Sequence, residues 1–400
     1  MISTAAIARR VAGDDACERP TLAEFFRQFG PAYLASHRLP PEQRRVLNAI
    51  IKCRTAALGG HLYVCDRCDY TSPVYNSCRS RNCPTCQALE QARWIAARTQ
   101  RLLPVGHHHV VFTLPAEIRP LARQHPTQVY NALLEAVSQT LSLLARDVLG
   151  ARLGVTAVLH TWTRRLGFHP HVHCVVTAGG LAIDGDQWIE RTQYLFHVAR
   201  MKAVFRGRLL ASLQRRHLSG DLQLDGDAPG HPSVAAWQRW VRTLPAGPKW
   251  VVYIEPPFGR SNHVLQYLGR YTHRIGISNA RLVGYDADGV TFRTHGDDTA
   301  TLAPNLFISR FLQHVLPSGF HKIRHYGLYA SANVHRLWPK AAALLGPGDG
   351  LDEAAAAVLA TADAVTLLGL LTGTDVLHCK RCDFGHMHPQ PLPTNREKPP

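Results

Sequence analysis

Hydrophobic spacing divides the middle of the chain into elements of alternating type. Between Pro126 and Gly150 the apolar residues Leu133, Val137, Leu141, Leu144 and Val148 recur every three or four positions, which predicts an amphipathic helix stopped by glycine. Residues 108–114 instead read as a strand, HVVFT leading into Leu114 and Pro115. Residues 155–161 and 170–178 read as two further strands, 198–218 as a basic helix, and 250–255 as a fourth strand after a loop rich in Gly, Pro and Asp. The order strand, helix, strand, strand, helix, strand is the split βαβ pattern. It predicts an α+β, ferredoxin-like domain whose antiparallel sheet carries its first and third strands side by side at the centre.

The flanks add shorter elements. Thr21-Leu-Ala-Glu24 is a capping box and Pro40-Pro41-Glu42 starts a second helix, two elements that could bind DNA or act as a scaffold on a zinc module; the scaffold reading is preferred. Ser261 can cap a helix on which Tyr267 and Tyr271, four apart, share a face. Residues 281–286 and 290–295 predict a hairpin, and 304–314 a helix. The apolar run from Ala354 to Leu371 has Asp363 at its centre, so it is read as a packed helix and not a membrane span.

Charge points to the partner. The 400 residues carry 45 Lys plus Arg against 29 Asp plus Glu, a formal net charge of +16 that favours a polyanion, most often nucleic acid. The first fifteen residues contain no uninterrupted apolar stretch, so no secretory signal is expected. Ten cysteines then imply a reducing compartment and metal ligation in place of disulfides. Cys65/Cys68 and Cys83/Cys86 are two C-x2-C pairs separated by fourteen residues, which predicts one tetrahedral structural zinc site. Cys78 could replace a ligand there or share a second site with His61.

The segment HPHVHCVV then acquires chemical meaning. Alternation puts His171 and His173 on one face of a strand and Val172 and Cys174 on the other, so two neutral imidazoles can chelate a divalent ion. A hairpin connection centred between Arg165 and Leu166 would set His160 opposite His171 as third ligand, with Gln266, His263 and His109 as rivals. His169, before Pro170, reads as flanking. A metal and nearby arginines make phenolate attack by Tyr267 or Tyr271 on phosphorus feasible.

HPHVHCVV resembles the HUH (histidine, hydrophobic, histidine) motif of single-strand endonucleases. VLQYLGRYTHRIGISN resembles the two-tyrosine motif of rolling-circle transposases of the insertion-sequence ninety-one family. HHHVVFTLP, AVLHTWTRRLGFHPHVHCVV, HVLPSGFHKIRHYGLYA and NSCRSRNCPTCQ resemble that family too, in its order, over residues from about 60 to about 335. The resemblance implies a ferredoxin-like HUH domain in which His171 and His173 bind Mg2+ or Mn2+ and Tyr267 and Tyr271 are nucleophiles. It also implies nicking and strand transfer of single-stranded DNA at element ends. One departure is Asn82, where the family usually has histidine; it weakens a second site built on Cys78 but not the four-cysteine site. Arg270 and Arg274, on the tyrosine helix, are the candidate DNA contacts.

The expected organisation is a helical segment over 1–58, a zinc module over 59–100, the HUH domain over 105–335 and a C-terminal helix and tail over 336–400. In the last, Cys379 and Cys382 with His386 and His388 suggest a zinc knuckle. A cytoplasmic, nucleoid-associated transposase is the leading reading. The alternatives are a rolling-circle replication initiator or relaxase, and an inactive zinc-dependent DNA-binding protein.

Overall fold

A computed structural model of the chain describes residues 20–193, 195–227, 230–257, 276–346 and 353–392. The chain divides into two compact units: one takes the described residues up to Ala96, 276–315 and those from Ala354 on, and the central one takes 97–257 and Leu316–Glu353.

The central unit contains a five-stranded antiparallel sheet. Its strands are β1 (His107–Thr113), β2 (Gly154–Trp162), β3 (Phe168–Thr177), β4 (Val252–Ile254) and β5 (Ile323–Gly327), in the order β5-β2-β3-β1-β4. The first four follow the ferredoxin-like order, with β1 and β3 adjacent at the centre, and β5 extends the sheet beyond β2. Two helices, α1 (Pro126–Leu144) and α2 (Val198–Leu218), connect them.

The alternation along the strands decides which face the helices cover. Val110 and Phe112 of β1, Val155, Ala157 and Leu159 of β2, and Val172, Cys174 and Val176 of β3 join Leu133, Val137, Leu141 and Leu144 of α1 in one buried core. Met201, Phe205, Leu209 and Leu213 supply the stripe of α2, with Phe205 packed at 5.0 Å on Phe112 and 5.8 Å on Trp250. Glu135 on α1 pairs with Arg215 and, at 3.0 Å, Arg216 on α2, so part of that helix's basic charge serves helix packing. The α1 pattern runs past Leu144 into one π-helical turn, 145–149, before Gly150 takes the left-handed conformation predicted for a glycine stop.

The other unit combines three separated stretches of chain. Its N-terminal helix, Leu22–Ser36, has the expected capping box, with Thr21 Oγ1 accepting from Glu24 N–H at 3.2 Å and Glu24 accepting from Thr21 N–H at 2.8 Å. Phe25 and Phe26 of this helix pack on Phe307 and Phe311 of the helix Pro304–Leu312. The strands Leu282–Tyr285, Val290–Arg293 and Thr299–Leu302 form a meander beside them. The first helix thus packs on residues 282–312, and its Arg27 Nη1 also donates to the carbonyl of Cys53 at 3.3 Å, so it meets the cysteine module expected beside it; residues 282–312 group with these N-terminal elements. The run expected as one packed helix is broken where Asp363 accepts from the N–H groups of Val365 and Thr366, giving helices Glu353–Thr361 and Ala364–Thr372. No helix among the described residues is long and apolar enough to cross a membrane.

Candidate metal centres

The face of the central sheet away from α1 and α2 carries the histidines. Ladder pairing sets His160 opposite His171 and Val158 opposite His173, the register expected for a hairpin turning near Leu166. The turn spans residues 163–167, closed by Thr163 N–H to Gly167 O at 2.9 Å, and Leu166 adopts a positive φ of 58° within it. One irregularity between His160 and Trp162 absorbs the odd residue, so the histidine face is preserved.

His160, His171 and His173 bring one ring nitrogen each to within 4.8 Å of one another. Ring centroids lie 5.4 Å apart for His160 and His171, 4.6 Å for His160 and His173, and 4.7 Å for His171 and His173. Trp162 stacks on His160 at 4.5 Å. Burial holds His173 well below the usual imidazole pKa and His171 at about 4, so both rings are neutral ligands near neutrality.

Hydrogen bonds then select which nitrogen points inward. His171 Nδ1 lies 2.6 Å from the carbonyl of His169, to which it must donate, leaving Nε2 with its lone pair. For His173 the selection is relayed. Glu255, just beyond β4, lies 3.0 Å from His109 Nδ1, and His109 Nε2 lies 2.9 Å from His173 Nδ1. A carboxylate only accepts, so neutral His109 donates through Nδ1 and accepts through Nε2, and His173 donates through Nδ1. Burial, the largest influence on His109, lowers its pKa despite Glu255, consistent with a neutral ring. That tautomer leaves the lone pair of His173 on Nε2, the atom a metal would use. His109 thus stands behind His173, and Glu255, which no pattern in the sequence singles out, stands behind His109. Arg119 Nη2 donates to His169 Nδ1 at 2.8 Å, which occupies that flanking ring.

The three adjacent histidines of β1 have three different surroundings. His107 Nε2 meets the Tyr329 hydroxyl at 3.0 Å, His108 lies between the carbonyls of Glu255 and Arg191, and only His109 approaches the ligand cluster. Tyr267, Tyr271, Arg270 and Arg274, with the rivals Gln266 and His263, lie outside the described residues.

The cysteines assemble differently from the expectation. Cys65, Cys68, Cys83 and Cys86 do not form one set: Cys83 and Cys86 group with Cys53 and Cys78, while Cys65 and Cys68 group with Cys379 and Cys382. The reason is the hairpin of strands Gly60–Cys65 and Thr71–Tyr75, which separates the two C-x2-C pairs. Cys53 enters at the C-cap of the helix Pro41–Lys52, a lone cysteine ahead of the spaced motif. His61 lies in the ladder opposite Val74 and Pro391 and belongs to neither group.

In the first group the sulfurs of Cys53 and Cys86 are 3.3 Å apart, Cys78 and Cys86 3.6 Å, and Cys53 and Cys83 3.7 Å. A Zn–S bond of about 2.3 Å gives a tetrahedral edge of ~3.8 Å, so the spacing suits zinc. Hydrogen bonds from Cys53, then Cys78 and Cys83, hold Cys86 far below the usual thiol pKa, while the same contacts push Cys78 and Cys83 up, so Cys86 is the thiolate its neighbours stabilise.

Residues 154–336 match a protein family described as "Putative transposase", and residues 25–114, which include the whole first cysteine group, match a "Transposase zinc-binding domain". The match supports Zn2+ as the ion of this module, and the first cysteine group offers it four sulfurs. A protein of Sinorhizobium fredii (strain NBRC 101917 / NGR234) named "Putative transposase y4qJ" is 41% identical over 378 residues, 92% of this chain and 94% of that relative. The "Transposase for insertion sequence element IS801" of Pseudomonas savastanoi pv. phaseolicola is 30% identical over 302 residues, 73% of this chain and 71% of the relative. No solved structure matches the chain.

Proposed function

Because the chain belongs to the insertion-sequence ninety-one family of transposases, we propose that it moves its element by nicking and joining single-stranded DNA at a metal-assisted HUH site. The observation that carries this reading is the convergence of His160, His171 and His173, with the inward nitrogens of His171 and His173 selected by hydrogen bonds. Mg2+ or Mn2+ bound by these residues would neutralise charge on a scissile phosphate and orient it for attack.

The remaining chemistry falls to the chain. Tyr267 and Tyr271 are the proposed nucleophiles on the strength of the two-tyrosine motif. A phenolate oxygen attacks phosphorus, the bond from phosphorus to the 3′-oxygen breaks, and that oxygen leaves and takes up a proton. The product is a 5′-phosphotyrosine, which keeps the phosphodiester energy without ATP. A free 3′-hydroxyl from another strand end then attacks the same phosphorus and releases the tyrosine. Two tyrosines permit one end to be held while another is cut. Arg270 and Arg274 are proposed phosphate contacts, and the net charge of +16 supports a DNA partner that would place the protein at the nucleoid.

The test incubates labelled single-stranded element-end DNA with the full chain and Mn2+, and seeks an adduct that survives denaturation. It is expected with the unaltered chain and lost in Tyr267→Phe/Tyr271→Phe and in His171→Ala. An undiminished adduct in the double tyrosine variant refutes the assignment.

A further inference from the structure

Cys65, Cys68, Cys379 and Cys382 come from opposite ends of the chain, and only the first two lie within the zinc-binding-domain match, which ends at residue 114. We propose that these four thiolates hold a second Zn2+ ion, and that this ion fastens the C-terminal segment to the N-terminal module. The proposal is independent of the nuclease reading.

Three features support it. The first is sulfur geometry: Cys65 to Cys382 is 3.7 Å and Cys68 to Cys379 is 3.8 Å, against the ~3.8 Å edge of a tetrahedral zinc thiolate site. All four sulfurs lie within 4.8 Å of one another and none is in a disulfide.

The second is that the two halves are built alike. Cys65-Asp-Arg-Cys-Asp69 and Cys379-Lys-Arg-Cys-Asp383 differ at one position. In each, the backbone N–H two residues past the first cysteine points at its sulfur: Arg67 N to Cys65 Sγ and Arg381 N to Cys379 Sγ, both 3.4 Å. Each turn also returns an N–H from its first cysteine to a carbonyl beyond the second, Cys65 to Tyr70 at 3.0 Å and Cys379 to Gly385 at 2.8 Å. Two matched knuckles facing each other are what a zinc ribbon needs, here assembled from segments more than 300 residues apart in sequence.

The third is the ladder that brings the knuckles together. The strand Met387–Pro391 pairs with Gly60–Cys65 from Cys65↔Met387 to His61↔Pro391, so the C-terminal strand covers an edge the N-terminal hairpin would otherwise expose. Asp66 adds an N–H to the His386 carbonyl at 3.1 Å and accepts from the His386 N–H at 2.8 Å, and Asp69 pairs with Arg381 at 2.9 Å. His386 and His388, the other ligands suggested by the sequence, stand outside the thiolate group, beside Asp375 and Asp66. Gly385 closes the turn at the site: a Cβ there would lie 2.3 Å from Cys65 Sγ and 3.0 Å from Cys382 Sγ.

The test is run on the full chain carrying His171→Ala/His173→Ala, so that the imidazole group adds nothing to the metal count. Zinc released by a mercurial and read with a colorimetric chelator should amount to two ions per chain. Adding Cys379→Ser/Cys382→Ser, or Gly385→Val alone, should reduce this to one. Pulsed alkylation of the zinc-loaded protein followed by mass spectrometry does not depend on any cysteine variant folding. Cys379 and Cys382 should be protected together with Cys65 and Cys68, and a chelator should release all four. A single zinc in the starting protein, two in the Cys379→Ser/Cys382→Ser chain, or rapid alkylation of Cys379 and Cys382 in the loaded protein overturns the proposal.

Discussion

Glu255 and His173 are joined through one intervening ring, and the direction of the two hydrogen bonds makes Glu255 a positioning residue for the proposed metal ligand His173. Glu255→Leu removes the acceptor, lets His109 change tautomer, and should weaken Mn2+ binding to the full chain by about 10–100-fold in calorimetry. Glu255 is one-third exposed, so the thermal midpoint should barely move; unchanged Mn2+ affinity would falsify the relay. Two other histidines govern acid sensitivity. Burial lowers both His107 and His325 to about 4 from an ordinary 6.5. Between these values the unfolded chain binds more protons, so their contribution to stability is present above 6.5 and is lost as pH falls towards 4. Each contributes a slope of up to about 1.4 kcal/mol per pH unit. Denaturant titrations at successive pH values should show this slope, with roughly one proton less in His107→Gln.

At the scale of elements, periodicity located the sheet and helices well because each has one buried face. Strand β3 alternates between core valines and site histidines, and α2 runs from Val198 to Leu218, the bounds read from the sequence. Capping chemistry located the Thr21 helix, but Asp363 was read only as a charge inside an apolar run. It ends one helix and caps the next because its carboxylate finds two free N–H groups. Asp363→Ala should cost the helix Ala364–Thr372 about 1 kcal/mol, visible as faster amide exchange over those residues with the central sheet unaffected. An equal rate in the variant would mean that packing alone sets this break.

For the whole molecule, electrostatics and chain closure matter most. A net charge of +16 predicts DNA affinity that falls steeply with salt, by more than about tenfold between ~50 and ~200 mM if four or more phosphates are contacted. Filter binding or anisotropy with unrelated single strands checks this; a flat response would place recognition in base contacts alone. The organisation of the chain into units departs from linear order, since residues 282–312 and the C-terminal strand fold with the N-terminal elements. Spacing within a motif could not disclose this, because pairing of Phe25 with Phe307 or Cys65 with Cys382 depends on loop closure over hundreds of residues.

The ferredoxin-like element order, the face shared by His171 and His173 and the position of His160 given its hairpin were legible along the chain, because they follow from local periods and short turns, and the family motifs were legible as contiguous segments. Only the fold shows which cysteines group together and which carboxylate stands behind His109 and His173. Cys53 and Cys379 carry no more local signal than any cysteine beside a helix end or in a C-x2-C pair, and Glu255 none at all. Their roles arise only when distant backbone segments are brought within a few ångströms, at distances that admit one ligand set and reject the others.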